Sequence, residues 1–230
     1  MKSIAIITAR GGSKRIHRKN IKLFYGEPII SYSIKAAINS KLFTEIIVST
    51  DDNEIAKIAV SYGAKVPVLR SYKNSNDDAS TVDALLEVIA YYKSIDLYFD
   101  NACCIYPTAP FISSDVLLKA FRVFQTNKFD SLFPVLKYRY PIHRALVIDS
   151  SKRVSMLRSE YISTKSQDLI ETYHDAGQFY WFDVAKFLYN KQLFSKNSGA
   201  IVLSEMQAHD IDELEDWEIA LFKFRYLHET

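Results

Sequence analysis

The stretch that decides the fold is the first one of the chain. Residues 4–15 read IAIITARGGSKR. The β-branched and small apolar residues predict a buried strand, and the two glycines and the serine at 11–13 predict a loop whose backbone amides can turn toward an anion. Arg10, Lys14 and Lys19 add positive charge to that loop. Neither common phosphate fingerprint, G-x-x-x-x-G-K-S/T or G-x-G-x-x-G, occurs here, so the stretch predicts either a polyphosphate site or a solvated basic turn.

Composition narrows the class of protein. The chain has 230 residues, of which 48% are hydrophobic, and this size suits one α/β domain with a sizeable core. A formal net charge of +2 gives no general attraction to nucleic acid or to a membrane surface. No apolar run approaches the roughly 20 residues that span a bilayer, and no signal peptide precedes the first strand, so we expect a cytoplasmic protein.

The two cysteines, Cys103 and Cys104, are adjacent in a predicted strand. Neighbouring side chains of a strand point to opposite faces, which argues against a disulfide framework or a zinc site. We predict two buried free thiols.

Strand and helix patterns alternate along most of the chain. After the opening strand, strands are predicted at 45–50, 65–69, 101–106, 130–137, 178–182 and 201–203. Helices are predicted at 28–39, 55–62, 81–94, 113–126 and 214–224. This alternation predicts parallel βαβ units in one domain that spans residues 1–230. The alternation is lost at 138–175, which we interpret as an excursion from the sheet or as an arm that packs on a partner subunit.

Polar side chains concentrate in the loops that follow the predicted strands. Ligands of open parallel sheets bind outside the carboxyl ends of the strands. The loops expected at that edge, or close to it, are 9–20, 51–52, 70–80, 107–110, 175–178 and 209–212. We therefore expect one crevice that several of these loops line.

Asp210 and Asp212 form the second candidate feature. Two carboxylates separated by one residue can bind Mg²⁺, which prefers few carboxylates together with phosphate oxygens and waters. Alternatively, Asp212 only caps the final helix while Asp210 is solvated. A polyphosphate site elsewhere in the chain favours the metal.

Three further polar residues have two interpretations each. Ser80 and Thr81 follow a polar loop and could contact a ribose or a base, or they only begin a helix with Asp83 in a capping box. Arg70, at the end of a predicted strand, could hydrogen-bond a base edge or pair with a surface carboxylate.

Taken together, these motifs carry a family resemblance. The opening stretch, IVSTD at 47–51, YPTAP at 106–110 and DID at 210–212 are similar to segments of the sugar-acid cytidylyltransferases that make CMP-activated nonulosonic acids. Within that family, HDAGQFYW at 174–181 resembles the pseudaminic acid cytidylyltransferases. SQDL at 166–169 points the same way.

The resemblance implies a fold, a reaction and an assembly. The implied fold is a Rossmann-like α/β three-layer sandwich with a mostly parallel mixed sheet, and the implied assembly is a homodimer whose 138–175 arm reaches toward the neighbouring active site. The implied reaction joins CTP to pseudaminic acid, with Mg²⁺, and releases pyrophosphate, for surface glycan or flagellin glycosylation. The anomeric 2-hydroxyl of the sugar would attack the α-phosphorus in line, and the general base is left open between a metal-bound hydroxyl and Asp212.

The resemblance also implies residue roles. Positions matching the triphosphate loop are Ala9, Arg10, Gly11, Gly12, Ser13, Lys14, Lys19 and Asn20. Positions matching the cytosine and ribose contacts are Arg70, Ala79 and Thr81. Positions matching the metal carboxylates are Asp210 and Asp212, and those for the sugar are Tyr106, Lys165, Asp175 and Gln178. Catalysis would rest on Arg10, Lys14, Lys19 and Asp212.

Two of the sugar positions depart from related enzymes. The family often has arginine where this chain has Lys165, and a lysine is a point charge while arginine grips a carboxylate with a planar fork. Tyr106 replaces a glutamine of the neuraminate enzymes, which suggests a different contact to the amide group of the sugar.

Three rival functions remain at this point. The first is the same transfer to N-acetylneuraminic or legionaminic acid. The second is a glycosyltransferase that uses Asp-x-Asp and Mn²⁺, although that class does not require a cationic loop after the first strand. The third is a nucleotide-sensing or RNA-binding module built on the basic run 14–22, which has few of the aromatic residues that a stacking platform needs.

Overall fold

The computed structural model describes residues 1–229 as an α/β fold. The strands are β1 Ser3–Thr8, β2 Leu23–Phe24, β3 Glu27–Pro28, β4 Glu45–Ser49, β5 Asn101–Ile105, β6 Ser131–Lys137, β7 Leu146–Ile148, β8 Val154–Met156, β9 Tyr173–Asp175, β10 Phe179–Asp183 and β11 Ser198–Leu203. The helices are α1 Ile30–Ser40, α2 Asn53–Ser61, α3 Thr81–Ser94, α4 Ser114–Asn127, α5 Val184–Asn190 and α6 Leu214–Glu229.

The central sheet is mixed and mostly parallel, as predicted. Its strand order is β11-β6-β10-β5-β1-β4, and β9 pairs with β6 off this path. β1 is parallel to both β4 and β5, and β11 is parallel to β6. β10 is inserted antiparallel between β5 and β6, and β9 is antiparallel to β6. The chain therefore crosses from one side of β1 to the other, which creates a crevice at the carboxyl end of the strand.

Helices cover both faces of the sheet and complete a three-layer sandwich. Ala5 and Ile7 of β1 face a core shared with α1, α2 and α4. Ile4 and Ile6 face a second core shared with α3 and α5. The same alternation places Cys103 in the first core and Cys104 in the second, both free and buried, as predicted.

The last helix packs against the beginning of the chain. Phe24 lies with its ring centroid 5.4 Å from that of Trp217 and 5.3 Å from that of Phe224, both edge-on. Ile211, just before α6, is buried in the same cluster. Edge-on aromatic pairs add about 0.5–1.5 kcal/mol each beyond the burial of their area. This packing brings the 209–212 loop beside the loop that follows β1.

Two predicted elements differ from the structure. The strand expected at 65–69 is only a single parallel bridge between Ile47 and Lys65. Pro67 has no N–H to donate, so the ladder cannot continue; Arg70 N donates to Thr50 O at 2.7 Å only beyond the end of β4. Helix α1 begins at Ile30, not at Pro28, because Pro28 pairs with Leu23 in a short hairpin.

Helix boundaries elsewhere follow the predicted signals. Ser80 and Asp83 form a reciprocal capping box at the start of α3. The Ser113 hydroxyl accepts from Val116 N at the start of α4. Gly63, with a φ of +94°, follows the end of α2.

The predicted excursion is a mostly exposed segment. It contains the small hairpin of β7 and β8 together with short turns, and it rejoins the main sheet at β9. Residues 173–175 therefore belong to the sheet, and the segment that leaves it covers 138–172. None of the helices within residues 1–229 has the length and apolarity needed to cross a bilayer.

Candidate active site

A cleft of about 640 Å³ lies at the carboxyl ends of β1 and β5. β10 reaches the same edge because it runs antiparallel to β5, so that Phe179 stands opposite Ile105. Tyr106 N donates to Gln178 O at 2.8 Å, which joins the end of one strand to the start of the other. The predicted loops therefore meet at one edge, as the topology requires.

Most of the residues singled out in the sequence line this cleft. They are Arg10, Ser13, Lys14, Lys19, Asn20, Arg70, Ala79, Thr81, Tyr106, Asp210 and Asp212. The residues placed around it or outside its lining are Ala9, Gly11, Gly12, Lys165, Asp175 and Gln178. Arg15 and Asp77 also line the cleft, and sequence reasoning gave neither of them a role.

The opening loop is held by backbone contacts to its neighbours. Asn20, which is buried, donates from Nδ2 to Arg10 O at 2.8 Å. Gly11 N donates to Asp51 Oδ1 at 2.8 Å. A Cβ at Gly11 would lie 2.8 Å from Asp52 Oδ2, so only glycine fits this close approach. These contacts fix the path of the loop before any ligand binds.

Asp52 joins the opening loop to helix α2. Its Oδ1 accepts from Glu54 N and Ile55 N at 2.8 and 3.0 Å and thereby caps α2, while Arg18 binds the same carboxylate at 2.5 and 3.1 Å. The hydrogen bond from Arg18 is the main reason that the pKa of Asp52 falls to about 2. The charge on Asp52 therefore stabilises the scaffold beneath the cleft.

We expect Asp52→Asn, which keeps the capping oxygen and removes the charge, to lower the free energy of unfolding by about 1–2 kcal/mol at pH 7. Because the pKa of Asp52 is lower in the folded chain, this stabilisation is present above the unfolded pKa of about 3.9. It is lost as the pH falls toward the folded pKa of about 2. Urea unfolding at several pH values measures the difference in free energy of unfolding between Asp52→Asn and the unmodified protein.

Asp115→Asn is the matched control for Asp52→Asn, because Asp115 is also in the first turn of a helix but has no ion pair among the described residues. The free energy of unfolding of Asp115→Asn should differ little from that of the unmodified protein, and the difference should not change with pH. An Asp52→Asn gap that stays constant between pH 5 and pH 2.5 would contradict the charge argument.

Four cations of the opening loop line the cleft: Arg10, Lys14, Arg15 and Lys19. Arg10 Nη1 lies 3.0 Å from Asp77 Oδ1, and Lys14 binds the other oxygen of that carboxylate. Arg15 Nη2 lies 2.6 Å from Asp212 Oδ1. These pairs are partly exposed, so they are exchangeable with the anionic groups of a ligand.

Lys19 joins the two ends of the chain. Its Nζ donates to Ile211 O at 2.6 Å and lies 3.5 Å from Asp212 Oδ1. The opening loop and the 209–212 loop are thereby held together, although 192 residues separate Lys19 from Ile211.

Asp210 and Asp212 differ in their surroundings. Asp212 is paired with two cations, whereas Asp210 makes no hydrogen bond or ion pair within residues 1–229. Desolvation, followed by the charge of Asp212, raises the pKa of Asp210. Among the described residues the Asp212 carboxylate contacts only Arg15 and Lys19 and accepts no backbone N–H of α6, whereas Asp216 Oδ2 accepts from Asp212 N and Glu213 N at 3.0 and 2.8 Å. The helix-capping alternative for Asp212 is therefore wrong.

The 209–212 loop carries Asp210 and Asp212, the two carboxylates that the sequence suggested as metal ligands. A bound cation offsets the repulsion between an unpaired carboxylate and the carboxylates around it. No group of three or more His, Cys, Asp or Glu side chains arranged to hold a metal occurs within residues 1–229. Mg²⁺ is compatible with only two carboxylates, because phosphate oxygens and water supply its remaining ligands. Asp210 and Asp212 therefore fit a metal that binds together with a phosphate ligand.

Arg70 closes the other side of the cleft. Its Nε donates to Ser49 Oγ at 3.0 Å and its Nη2 donates to Ser49 O. Burial lowers the pKa of Arg70, although a guanidinium stays charged at neutral pH. No carboxylate forms an ion pair with Arg70 among the described residues. Its charge is thus held rigidly by the strand edge and faces the cleft.

The hydroxyls of Tyr106 and Tyr180 and the carboxylate of Asp175 form a cluster, and the Tyr106 hydroxyl is in hydrogen-bond contact with Thr81. The rings of Tyr106 and Tyr180 are 5.6 Å apart, and Tyr180 Oη donates to Asp175 Oδ2. Burial raises the pKa of Tyr106, so its hydroxyl stays protonated at neutral pH. Gln178 is buried and donates from Nε2 to Gln207 O at 2.7 Å, which supports the loop that carries Asp210. Sequence reasoning missed Tyr180, which lies within the aromatic strand 178–182.

Lys165 lies away from the cleft lining of its own chain. It is exposed and precedes the short turn at 166–168 in the excursion. A contact between Lys165 and the cleft would require movement of the excursion or a second copy of the chain.

Comparison with known proteins places this geometry in a family. A family model described as cytidylyltransferase matches residues 4–227. A pseudaminic acid cytidylyltransferase of Campylobacter jejuni is 40% identical over 230 residues, which are 100% of this chain and 99% of that protein. A CMP-N,N'-diacetyllegionaminic acid synthase of Legionella pneumophila is 30% identical over 95% of this chain and 93% of that protein.

Solved structures show the same fold. The structure of CMP:2-keto-3-deoxy-manno-octonic acid synthetase complexed with CTP matches with a TM-score of 0.72 and 16% sequence identity, and the match covers 100% of both chains. At this identity the match shows a shared fold.

Proposed function

Because this chain belongs to the cytidylyltransferase family, we propose that it transfers CMP from CTP to pseudaminic acid and releases pyrophosphate. The observation that carries the proposal is one cleft in which the four cations of the opening loop lie beside Asp210 and Asp212. A triphosphate needs such a concentration of positive charge, and nucleotidyl transfer depends chiefly on positioning and electrostatics.

The sugar and nucleotide would enter from different sides of the cleft. Arg70, Ala79 and Thr81 are the proposed contacts of cytosine and ribose, and all three line the cleft. Tyr106 and Asp175 are the proposed contacts of the sugar; Tyr106 packs against the ring of Tyr180, whose hydroxyl donates to Asp175. The α-phosphorus would then lie between the two groups, where the sugar 2-oxygen can approach it in line.

The chain's own residues would stabilise the transferred charge. As the bond between the sugar oxygen and the α-phosphorus forms, the hydroxyl gives its proton to a general base, for which Asp212 is one candidate. The bond from that phosphorus to the pyrophosphate oxygen breaks, and negative charge grows on the leaving group. Arg10, Lys14 and Lys19, which line the cleft, would balance that charge. Asp210 and Asp212 would hold Mg²⁺, which when bound neutralises phosphate oxygens as a Lewis acid.

A homodimer formed through the excursion is part of the same proposal. The excursion exposes large apolar side chains, namely Leu146, Ile148, Val154, Ile162 and Ile170. Clustered apolar side chains on a surface mark a contact with another protein. The same proposal assigns Lys165, which is exposed in the excursion, to the cleft of the neighbouring subunit. Sedimentation equilibrium should give about twice the chain mass of 26.5 kDa, and Ile148→Asp should shift it toward the single-chain mass.

Pyrophosphate release with CTP and a panel of sugar acids tests the reaction. We expect release with pseudaminic acid at least tenfold faster than with N-acetylneuraminic or legionaminic acid, because the hydroxyl and carboxylate group around Tyr180 fixes the pattern of sugar contacts. Faster release with legionaminic acid would move the assignment to that sugar. Absence of release with every acid would overturn the proposed transfer. A cytoplasmic location is proposed because free CTP is a cytoplasmic substrate.

A further inference from the structure

Two cations proposed to hold the triphosphate already have an anionic partner in this structure. Asp77 Oδ1 lies 3.0 Å from Arg10 Nη1, and Asp77 Oδ2 accepts from Lys14 Nζ. Arg10 Nη1 also donates to Asn76 O at 3.3 Å. Both oxygens of one carboxylate are thus bound by two cations that the proposed function assigns to the triphosphate.

The contact is exposed and therefore exchangeable. The side chain of Asp77 is 53% exposed and that of Lys14 is 74% exposed. Exposed ion pairs contribute little to stability, since water screens them and two long side chains must be ordered. The hydrogen bond from Lys14 lowers the pKa of Asp77, so the carboxylate is charged at neutral pH. Asp77 is a true anion at the site without being needed for the fold.

The loop that carries Asp77 keeps its shape by other bonds. Asn76 Oδ1 accepts from Asp78 N and Ala79 N at 3.1 and 2.9 Å. At the start of the loop, Glu87 accepts from Ser71 N at 2.7 Å. The Asp77 side chain can therefore leave Arg10 and Lys14 without unfolding of the loop.

We propose that Asp77 is an internal competitor of the phosphate groups, which sets the affinity of the site for CTP and for pyrophosphate. The inference rests on the proposed function. An incoming triphosphate must displace Asp77 from Arg10 and Lys14, and Asp77 returns to them when pyrophosphate leaves. The carboxylate thereby weakens binding of both anions and favours release of the product.

Titration calorimetry with inorganic pyrophosphate, CTP and cytidine tests this role at fixed ionic strength. Asp77→Asn should bind pyrophosphate and CTP about three- to tenfold more tightly than the unmodified chain, and the inhibition of turnover by pyrophosphate should deepen by a similar factor. Cytidine, which has no phosphate, should bind with unchanged affinity.

Asp78→Asn is the matched control. It removes the same charge from the neighbouring position, and the Asp78 side chain has no ion pair or hydrogen bond within the described chain. Its affinities should change less than twofold. Equal effects of the two substitutions would overturn the proposal, since they would reflect net charge only. Weaker binding of pyrophosphate to Asp77→Asn, or no binding to any of the three proteins, would also overturn it.

These outcomes are separable from failure of the proposed function. Pyrophosphate binding needs no sugar acid and no turnover. A chain that binds pyrophosphate with the predicted difference but releases none from CTP would retain the role of Asp77 and lose the proposed transfer.

Discussion

Arg10→Ala is expected to lower kcat/KM for CTP by about 10²- to 10³-fold. Arg10 is held in the cleft by the path of the opening loop, and its guanidinium offers several donors to charge that grows on the leaving pyrophosphate. Steady-state pyrophosphate release gives the ratio. The fold should be little affected, because the Arg10–Asp77 pair is exposed and such pairs contribute about 0.2–1 kcal/mol.

Arg122→Ala is the control for that experiment. Arg122 is exposed on α4 and lies outside the lining of the cleft. It should leave both turnover and the melting temperature unchanged. Turnover of Arg10→Ala at the rate of the unmodified chain would refute the triphosphate role of the opening loop.

Asp210→Asn is expected to have opposite effects on turnover and stability. A metal that neutralises phosphate charge contributes several kcal/mol to the transition state, so its displacement should reduce kcat at least a hundredfold. In the absence of metal, the amide should leave the free energy of unfolding unchanged or slightly higher. The reason is that desolvation and neighbouring carboxylates raise the pKa of Asp210, which makes its charge unfavourable in the folded chain.

Turnover at several Mg²⁺ concentrations and urea unfolding in EDTA separate these two effects. Glu213→Gln removes an exposed charge close by and should change neither quantity. A parallel loss of stability and activity in Asp210→Asn would indicate a structural carboxylate and would contradict the metal role.

The sequence predicted the layers of the fold better than the pairing of its strands. The apolar residues of β1 and the alternation of strands and helices suffice for a three-layer α/β sandwich, because periodicity reports burial. The antiparallel insertion of β10 between β5 and β6 depends on partners about 50 to 80 residues away, and local pattern carries no such information. The strand predicted at 65–69 is wrong although its residues favour a strand. Pro67 lacks the N–H that the next hydrogen bond of the ladder needs.

Residues that share a motif were predicted to lie near one another, and the structure brings most of them to one cleft. Arg10, Lys14 and Lys19 of the opening loop could be named in advance because they lie beside its glycines, and Asp210 and Asp212 because they are paired in sequence. Asp77 could not be named in advance. In sequence it resembles its neighbour Asp78, and only the fold shows that it forms an ion pair with Arg10. Arg15 lies in the opening stretch itself, but its pairing with Asp212 depends on the fold. The distance of Lys165 from the cleft depends on the path of the excursion, which has no regular pattern.

The Lys19–Ile211 hydrogen bond has a consequence for synthesis of the protein. The two residues are 192 positions apart, so at 5–20 residues per second roughly 10 to 40 s pass between their additions to the chain. During that interval the nascent chain can pair β1 with β4 and β5, yet its cationic loop has no carboxylates from 210–212 beside it. The cleft is therefore complete only after the 209–212 loop has been synthesised and has packed against the opening loop.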